Sequence, residues 1–208
     1  DHERTMCTYL GACREFTADR LDLAALGRAR CLYFVGYMWD TPNQTHAVRR
    51  ATEEAHRQGL QVCFDVADPW VVERYGDQFR DWIPGSVDVL FGNREELGLL
   101  FGRELPDEAL LERAPAVIPL VLMKIGAEGC YVAERTGAQR VPAFPVRAVD
   151  TTGAGDCFAG ALLFALLRGR PPREAAVLAN RVAAGIVGVL GCDLSALDRQ
   201  AVLREAGF

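Results

Sequence analysis

The chain has 208 residues, of which 50% are hydrophobic and 25% charged, a composition that is ordinary for a globular domain. The formal net charge is -5 and no block of lysine and arginine stands out, so nucleic acid is not expected as a partner. The seven cysteines are scattered without a CxxC pair, which argues against a disulfide framework and a zinc site and favours a cytoplasmic location. No apolar run has the length of a membrane span, and the first residues lack the layout of a signal peptide.

Short apolar runs rich in β-branched and aromatic residues alternate with longer periodic segments. Residues 4–16 predict an opening strand and residues 17–27 a helix capped by Thr17 and Gly27. The next part of the chain predicts strands at 31–36, 61–66, 87–91 and 119–124, separated by helices at 47–59, 69–83 and 93–102. Because these strands are almost continuously apolar, helices should cover both faces of the sheet, which favours an α/β doubly wound fold with mostly parallel strands.

The pattern changes after residue 124. Two short strands at 129–133 and 140–144 flank a polar turn and predict an antiparallel hairpin. Three helices are expected to follow, beginning at 153–155, at 173 and at 195.

The stretch "DTTGAGDCFAG", residues 150–160, stands where a helix begins after a strand. Its glycines would let backbone N–H groups approach an anion closely, and an aspartate in the first helical turn could then take a proton from a substrate hydroxyl. A capped, glycine-rich helix start is an equal alternative on spacing alone. The chain contains no GxxxxGK[ST], and Phe158 occupies the place of the third glycine of GxGxxG, so a P-loop and a dinucleotide fingerprint are both disfavoured.

Extended to "DTTGAGDCFAGALLFAL", the same stretch resembles the C-terminal signature of the ribokinase or PfkB-type carbohydrate kinases. "FGNREEL" and "MKIGAEGCYV" resemble two further motifs of that family in the same order, and "GYMWD" and "DVADPWVVERYGDQF" resemble its adenosine kinase-like branch of sugar and nucleoside kinases. The resemblance implies a kinase that uses ATP and Mg²⁺ to phosphorylate the primary hydroxymethyl group of a sugar or nucleoside, adenosine- or ribose-like.

The resemblance also implies roles for individual residues. Asp156 would be the catalytic base that meets the substrate hydroxyl, and the backbone of Gly153, Ala154 and Gly155 would form an anion hole. Asn93 and Glu96 would help to hold Mg²⁺ through its waters.

Further roles follow from the same resemblance. It places four residues near the nucleotide (Lys124, Gly126, Gly129 and Asn180), three near a monovalent cation such as K⁺ (Asp150, Thr152 and Ser195), and Tyr37 near the substrate. The residue types alone are also compatible with structural roles: a strand-end lysine directed to solvent, a polar helix face, an N-cap at Asn93 and half-buried packing of the tyrosine.

The resemblance covers nearly all of the chain but about the C-terminal two-thirds of the family domain, so the N-terminal strands and most of the lid are expected to be missing. Within a single ribokinase-like domain of residues 1–208, residues 1–16 should lead from the lid region into the core and residues 150–208 should form the nucleotide and catalytic segment. The family likeness allows a homodimer of the full-length protein. Alternatives are a non-catalytic nucleotide- or sugar-binding relative, an inactive fragment of such a kinase, or a dehydrogenase, which fits the fold but not the glycine spacing.

Overall fold

The computed structural model describes residues 7–208 and contains one six-stranded sheet. The strands follow one another across the sheet in chain order: β1 (Cys31–Val35), β2 (Gln61–Asp65), β3 (Val89–Asn93), β4 (Leu120–Lys124), β5 (Cys130–Glu134) and β6 (Gly137–Val141). The first three pair in parallel, with Cys31 opposite Gln61 and Cys63 opposite Val89. The predicted α/β fold with a mostly parallel sheet is confirmed.

Eight α-helices are found in the described part of the chain: α1 (Leu23–Leu26), α2 (Pro42–Arg57), α3 (Pro69–Trp82), α4 (Arg94–Phe101), α5 (Asp107–Arg113), α6 (Ala154–Leu166), α7 (Pro172–Val187) and α8 (Arg199–Glu205). Helix α2 begins five residues before the predicted start at 47, because Thr41 accepts a hydrogen bond from the Gln44 amide and Pro42 occupies the first turn. None of these helices combines the length and the apolar character needed to cross a bilayer.

The described residues form two compact units. The N-terminal unit comprises residues 7–123 and 133–137, and the C-terminal unit comprises residues 124–132 and 138–208. An aromatic cluster lies in the core of the N-terminal unit, where the rings of Trp39 and Trp82 are 4.8 Å apart and those of Phe64 and Phe79 are 5.2 Å apart. In the C-terminal unit α6 packs against α7, and Leu162 is fully buried between apolar neighbours.

Two expectations for the start of the chain are wrong. Residues 7–16 contain no strand; Gly11–Glu15 forms a short 3-10 helix, and residues 1–6 lie outside the described part. The segment is largely exposed, and a strand requires a neighbouring strand to satisfy its backbone. Helix α1 begins after Asp22, whose carboxylate accepts the Ala25 amide at 3.1 Å, whereas Thr17 makes no capping hydrogen bond.

The hairpin is present with a shifted second strand. Only Arg135 and Thr136 separate β5 from β6, so the two strands run antiparallel and β6 begins earlier than the predicted residue 140. Strand β6 ends at Val141 because Pro142 has no N–H group to continue the ladder.

Candidate active site

The signature motif lies in the C-terminal unit, at the N-terminus of α6. Gly153 precedes the helix in a left-handed conformation with φ of 75°, which a residue with a side chain rarely adopts. A Cβ atom on Gly153 would lie 2.5 Å from the sulfur of Cys192, so the site has no room for a side chain. The turn before α6 therefore depends on glycine for both its backbone conformation and its packing.

The helix α6 begins after a glycine, which has no side chain to cap the amides of the first turn. No side chain in the described residues caps Gly153, and the Ala154 amide donates to the carbonyl of Thr151 at 3.2 Å. Gly155 and Asp156 contribute the next amides, which have no acceptor within a helix. A helix start of this kind attracts anions, because its N–H groups and dipole present positive charge. The predicted anion hole at 153–155 stays a prediction, with the Ala154 amide already engaged in the turn.

A positive side chain lies beside the same helix start. Lys124 is the last residue of β4, and its Nζ atom would be 3.5 Å from a Cβ atom on Gly155. A larger residue at position 155 would therefore meet the ammonium group. The lysine therefore places a positive charge beside the first turn of α6.

Asp156 is the third residue of α6 and is exposed. A carboxylate in the first turn is favoured by the helix dipole, and its exposure leaves it accessible to a hydroxyl group. The next residue, Cys157, is half-buried: burial, then the neighbouring thiol of Cys192 and the Asp156 carboxylate, raise the pKa of its thiol to about 12. The role of Asp156 as a catalytic base stays a prediction.

Asp150 ties the turn before α6 to the loop after α7. Its Oδ1 atom accepts the amide of Thr152 at 2.9 Å, and its Oδ2 atom accepts the amide of Gly191 at 2.9 Å. The amide of Asp150 also donates to the carbonyl of Val187 at 3.2 Å. Both carboxylate oxygens thus hold backbone groups of the turn and the loop.

Ser195, the third residue predicted near a monovalent cation, lies in a short 3-10 helix (Leu194–Ala196) of the same unit. Its hydroxyl donates to Asp193 at 2.6 Å, and this bond lowers the pKa of the Asp193 carboxyl. The same carboxylate accepts the Ser195 amide at 2.9 Å, so Asp193 caps this turn and the Ser195 hydroxyl binds the cap. The K⁺ site at Asp150, Thr152 and Ser195 stays a prediction.

The two glycines after β4 differ in the space that surrounds them. Gly126 has φ of 62° and open space where a Cβ atom would be. Gly129 has φ of 102°, and a Cβ atom there would collide with the backbone at Val141 and Pro142. Glycine at 129 is therefore required by contact between two chain segments, whereas a role of either glycine at the nucleotide stays a prediction.

Asn180 lies in α7 and is 5% exposed. Its side-chain amide donates to the carbonyls of Val141 at 3.0 Å and Pro142 at 3.2 Å. These bonds satisfy backbone carbonyls just where β6 ends, so Asn180 fixes the end of the hairpin against α7. A contact with adenine stays a prediction.

Replacement of Asn180 by alanine should lower the free energy of unfolding by about 1–3 kcal/mol, because two carbonyls would lose their donor in a buried place. Chemical denaturation of the two proteins measures the difference. Asn43→Ala, at an exposed position in the first turn of α2, is the control and should change stability by less than about 0.5 kcal/mol. Equal effects of the two substitutions would contradict the structural role of Asn180.

In the N-terminal unit, Asn93 and Glu96 form a reciprocal capping box at the start of α4. Asn93 accepts the amide of Glu96 at 2.8 Å, and the Glu96 carboxylate accepts the Asn93 amide at 2.7 Å and the Asn93 side-chain amide at 2.8 Å. Glu96 is 3% exposed. The pair that was predicted to support Mg²⁺ thus shapes the helix start, and its contact with the metal stays a prediction.

Tyr37 follows β1 in a 3-10 helix (Gly36–Trp39) and is half-buried. Its hydroxyl donates to Asp68 at 3.3 Å, and the other oxygen of Asp68 accepts the Trp70 amide at the start of α3. The tyrosine therefore supports a helix cap in the N-terminal unit, and its predicted contact with substrate stays a prediction.

The sequence interpretation missed a buried carboxylate in the N-terminal unit. Asp65 ends β2, is 3% exposed and accepts the amide of Ala67 at 3.1 Å. Ala67 has φ of 76°, and among the described residues it is the one non-glycine residue with positive φ. A charged residue that ends an apolar strand is the same signal that singled out Lys124, so "FDVA" could have been found in this way.

Across residues 7–208, no cluster of three or more His, Cys, Asp or Glu side chains could hold a metal ion by itself. Mg²⁺ in nucleotide sites usually keeps several waters and binds the phosphates together with one or two protein groups. A role of Asn93 and Glu96 at such a site stays a prediction.

The chain is similar to known sugar and nucleoside kinases. It is 35% identical over 216 residues to an uncharacterized sugar kinase of Escherichia coli, covering 98% of this chain and 63% of that protein. It is 37% identical over 176 residues to the 2-dehydro-3-deoxygluconokinase of Thermoproteus tenax, covering 83% of this chain and 54% of that protein. The chain thus spans about half to three-fifths of the length of the curated relatives that it matches.

The fold is also found in solved structures. Adenosine kinase from Sinorhizobium meliloti superposes with a TM-score of 0.88 at 32% identity, covering 96% of this chain and 61% of that one. A probable sugar kinase from Rhizobium etli superposes with a TM-score of 0.90 at 28% identity, covering 96% and 60% of the two chains. The family model for pfkB carbohydrate kinases matches residues 1–199. The predicted family is thereby confirmed, and the chain belongs to the pfkB family of carbohydrate kinases.

Proposed function

We propose that the whole protein is a cytoplasmic kinase that transfers the γ-phosphoryl group of ATP, with Mg²⁺, to the primary hydroxymethyl group of a sugar or nucleoside. The observation that carries the proposal is the start of α6, where an uncapped helix N-terminus, an adjacent lysine and an exposed carboxylate meet. Phosphoryl transfer needs little covalent chemistry from the protein; it needs positioning, charge stabilisation and a proton acceptor.

Asp156 is the proton acceptor in this proposal. Its carboxylate would accept the proton of the substrate hydroxyl as that oxygen attacks phosphorus, which keeps the attacking oxygen nucleophilic. The amides of the first turn of α6 and the ammonium group of Lys124 would bind the negative charge that spreads over the phosphoryl oxygens. Bound ATP supplies the phosphoryl group, and Mg²⁺ supplies countercharge to its oxygens.

Glu96 would act on Mg²⁺ through water, because both of its oxygens already hold Asn93. Its negative charge, fixed in place by burial, would favour a hydrated cation nearby.

Replacement of Glu96 by glutamine separates the two roles. Glutamine is a common capping-box residue, so stability should fall by only about 1 kcal/mol, while the Mg²⁺ concentration that gives half-maximal turnover should rise several-fold. Glu96→Ala should destabilise the protein by about 2–3 kcal/mol, because it leaves buried donors unpaired. Glu95→Gln, at an exposed position in the same first turn, is the control. An unchanged Mg²⁺ dependence in Glu96→Gln would leave the carboxylate with a purely structural role.

A nucleoside such as adenosine is the first acceptor that we propose, and ribose the second. The similarity to an adenosine kinase at 32% identity covers 96% of this chain, and Tyr37 places an aromatic ring at the end of β1. Ribokinase of Haemophilus influenzae is 29% identical over 161 residues, covering 75% of this chain. An aromatic ring can stack on a base, which favours the nucleoside.

A phosphorylation screen of the intact gene product tests the proposal. Adenosine, inosine, ribose, fructose and 2-keto-3-deoxygluconate are each offered with labelled ATP and Mg²⁺, and transfer to at least one of them is expected. ATP binding without transfer to any acceptor would instead support a non-catalytic nucleotide- or sugar-binding protein. The Asp156→Asn variant shows whether the transfer depends on the proposed base.

A further inference from the structure

Two thiols lie together beside the phosphate-binding turn. The sulfur atoms of Cys157, in the first turn of α6, and Cys192, in the loop after α7, are 3.4 Å apart. Both cysteines are free and both belong to the C-terminal unit. They are separated by 35 residues in the chain, so only the fold brings them together.

We propose that Cys157 and Cys192 are a reversible modification site, at which a hydroperoxide converts the two thiols into a disulfide next to the candidate base Asp156. A disulfide needs sulfur atoms about 2.05 Å apart, so the pair has to close by roughly 1.4 Å. This closure is small compared with the movement that most pairs of free cysteines would need.

The chemistry proceeds in two balanced steps. Cys192 is the exposed partner, and its sulfur would attack the peroxide O–O bond, giving a sulfenic acid and releasing the alcohol or water. The thiol of Cys157 would then attack the sulfenic sulfur, forming the S–S bond and releasing the sulfenic oxygen as water. The peroxide is reduced by two electrons and the two thiols are oxidised by two electrons. A dithiol reductant reverses the change by exchange.

The surrounding backbone allows Cys192 to be the partner that moves. Its neighbour Gly191 has φ of 70° and open space where a Cβ atom would be, whereas Cys157 is held by the first helical bond of α6, from its amide to the Gly153 carbonyl at 2.9 Å. One hydrogen bond, from the Gly191 amide to Asp150, links this part of the loop to the turn before α6. Closing the disulfide would therefore shift the end of the loop against a fixed helix start.

The shift would reach the turn that binds phosphate. The sulfur of Cys192 already packs where a Cβ atom of Gly153 would be, and Asp150 couples the Gly191 amide to the Thr152 amide. A displacement of about 1 Å in a catalytic site can cost about 10²-fold in rate. The effect on turnover rests on the proposed kinase function; the formation of the disulfide does not.

A second thiol pair in the chain provides a control. Cys31 and Cys63 lie on the neighbouring strands β1 and β2 of the N-terminal unit, and a hydrogen bond with Cys63 lowers the pKa of Cys31 to about 7. Cys63 is fully buried within β2. Substitution of Cys31 thus removes a reactive thiol without touching the C-terminal unit.

The intact protein is treated with a small excess of hydrogen peroxide, alkylated and digested, and the peptides are identified by mass spectrometry with and without dithiothreitol. We expect a linked Cys157–Cys192 peptide in most molecules, a loss of turnover of at least 10-fold, and recovery of both after reduction. Cys192→Ser and Cys157→Ser should abolish the link and make turnover insensitive to peroxide, while Cys31→Ser should respond like the unmodified protein.

Oxidation of Cys192 to sulfenic or sulfinic acid without the linked peptide would overturn the modification site. A linked peptide with unchanged turnover would overturn its control of activity. If no acceptor is phosphorylated, the linked peptide still tests the site, and its effect is then measured on the affinity for ATP. Failure of the kinase proposal is thus distinguished from failure of the thiol proposal.

Discussion

Asp156→Asn should lower the turnover of the intact protein by about 10²-fold or more, with little change in its affinity for ATP. Asparagine keeps the size of the side chain and its exposed place in the first turn of α6, but it cannot accept the hydroxyl proton. A general base contributes to the transition state much more than to the bound ground state, so the loss should appear in kcat. Steady-state kinetics with the acceptor found in the screen, together with calorimetric titration of ATP, measures both quantities.

Glu174→Gln is the matched control, since Glu174 is a first-turn carboxylate of α7 that pairs with Arg170 at 3.1 Å on the surface. It should leave turnover within about two-fold, because exposed ion pairs contribute little. Near-normal turnover in Asp156→Asn would remove this residue from the role of base. Equal losses in both variants would point to a general effect of charge.

Gly153→Ala should lower turnover by about 10-fold or more and the free energy of unfolding by about 1–3 kcal/mol. An L-residue is strained at φ of 75°, and the added methyl group would meet the sulfur of Cys192 at 2.5 Å. The turn has to move to relieve this collision, and the amides of Gly155 and Asp156 move with it. Denaturant unfolding and kinetics on the same preparation measure the two effects.

Gly160→Ala, in the same helix, is the control and should change stability in the opposite direction. Gly160 is exposed in α6 and has open space where its Cβ atom would be. Alanine favours the helix over glycine, so this variant should be more stable by about 0.5–1 kcal/mol and retain its turnover. A stability loss in both variants would show that the left-handed turn at Gly153 is not the cause.

Local sequence patterns were sufficient for the strands and for most helices. β1 to β4 are apolar runs bounded by polar residues. The bounds of each strand were predicted to within about two residues at either end, because an apolar run marks a buried strand. Helix α5 (Asp107–Arg113) was missed because it has only seven residues, and a segment of two turns carries too little periodicity. The opening strand was wrong because strand propensity does not supply a partner strand.

The family motif located the start of α6 and its aspartate, but not what each neighbour contacts. The bonds of Asn180 to the end of β6 and the collision that excludes a side chain at Gly129 join residues that are distant in the chain. Those contacts exist only after the helices have packed, and no local pattern encodes them. The same holds for the meeting of Cys157 with Cys192.

The hydrogen bonds by which Asp150 ties the turn before α6 to the loop after α7 have a consequence for protein engineering. The turn, both helices and the loop that returns to the turn lie within residues 149–192, and the hydrogen bonds that close this segment join its own two ends. Because the hydrogen bonds that hold its two ends together lie within the segment, it should be exchangeable as one block between family members. Chimeras with junctions outside the block should keep the turn intact, whereas a junction between Asp150 and Gly191 would pair one family member's turn with another's loop.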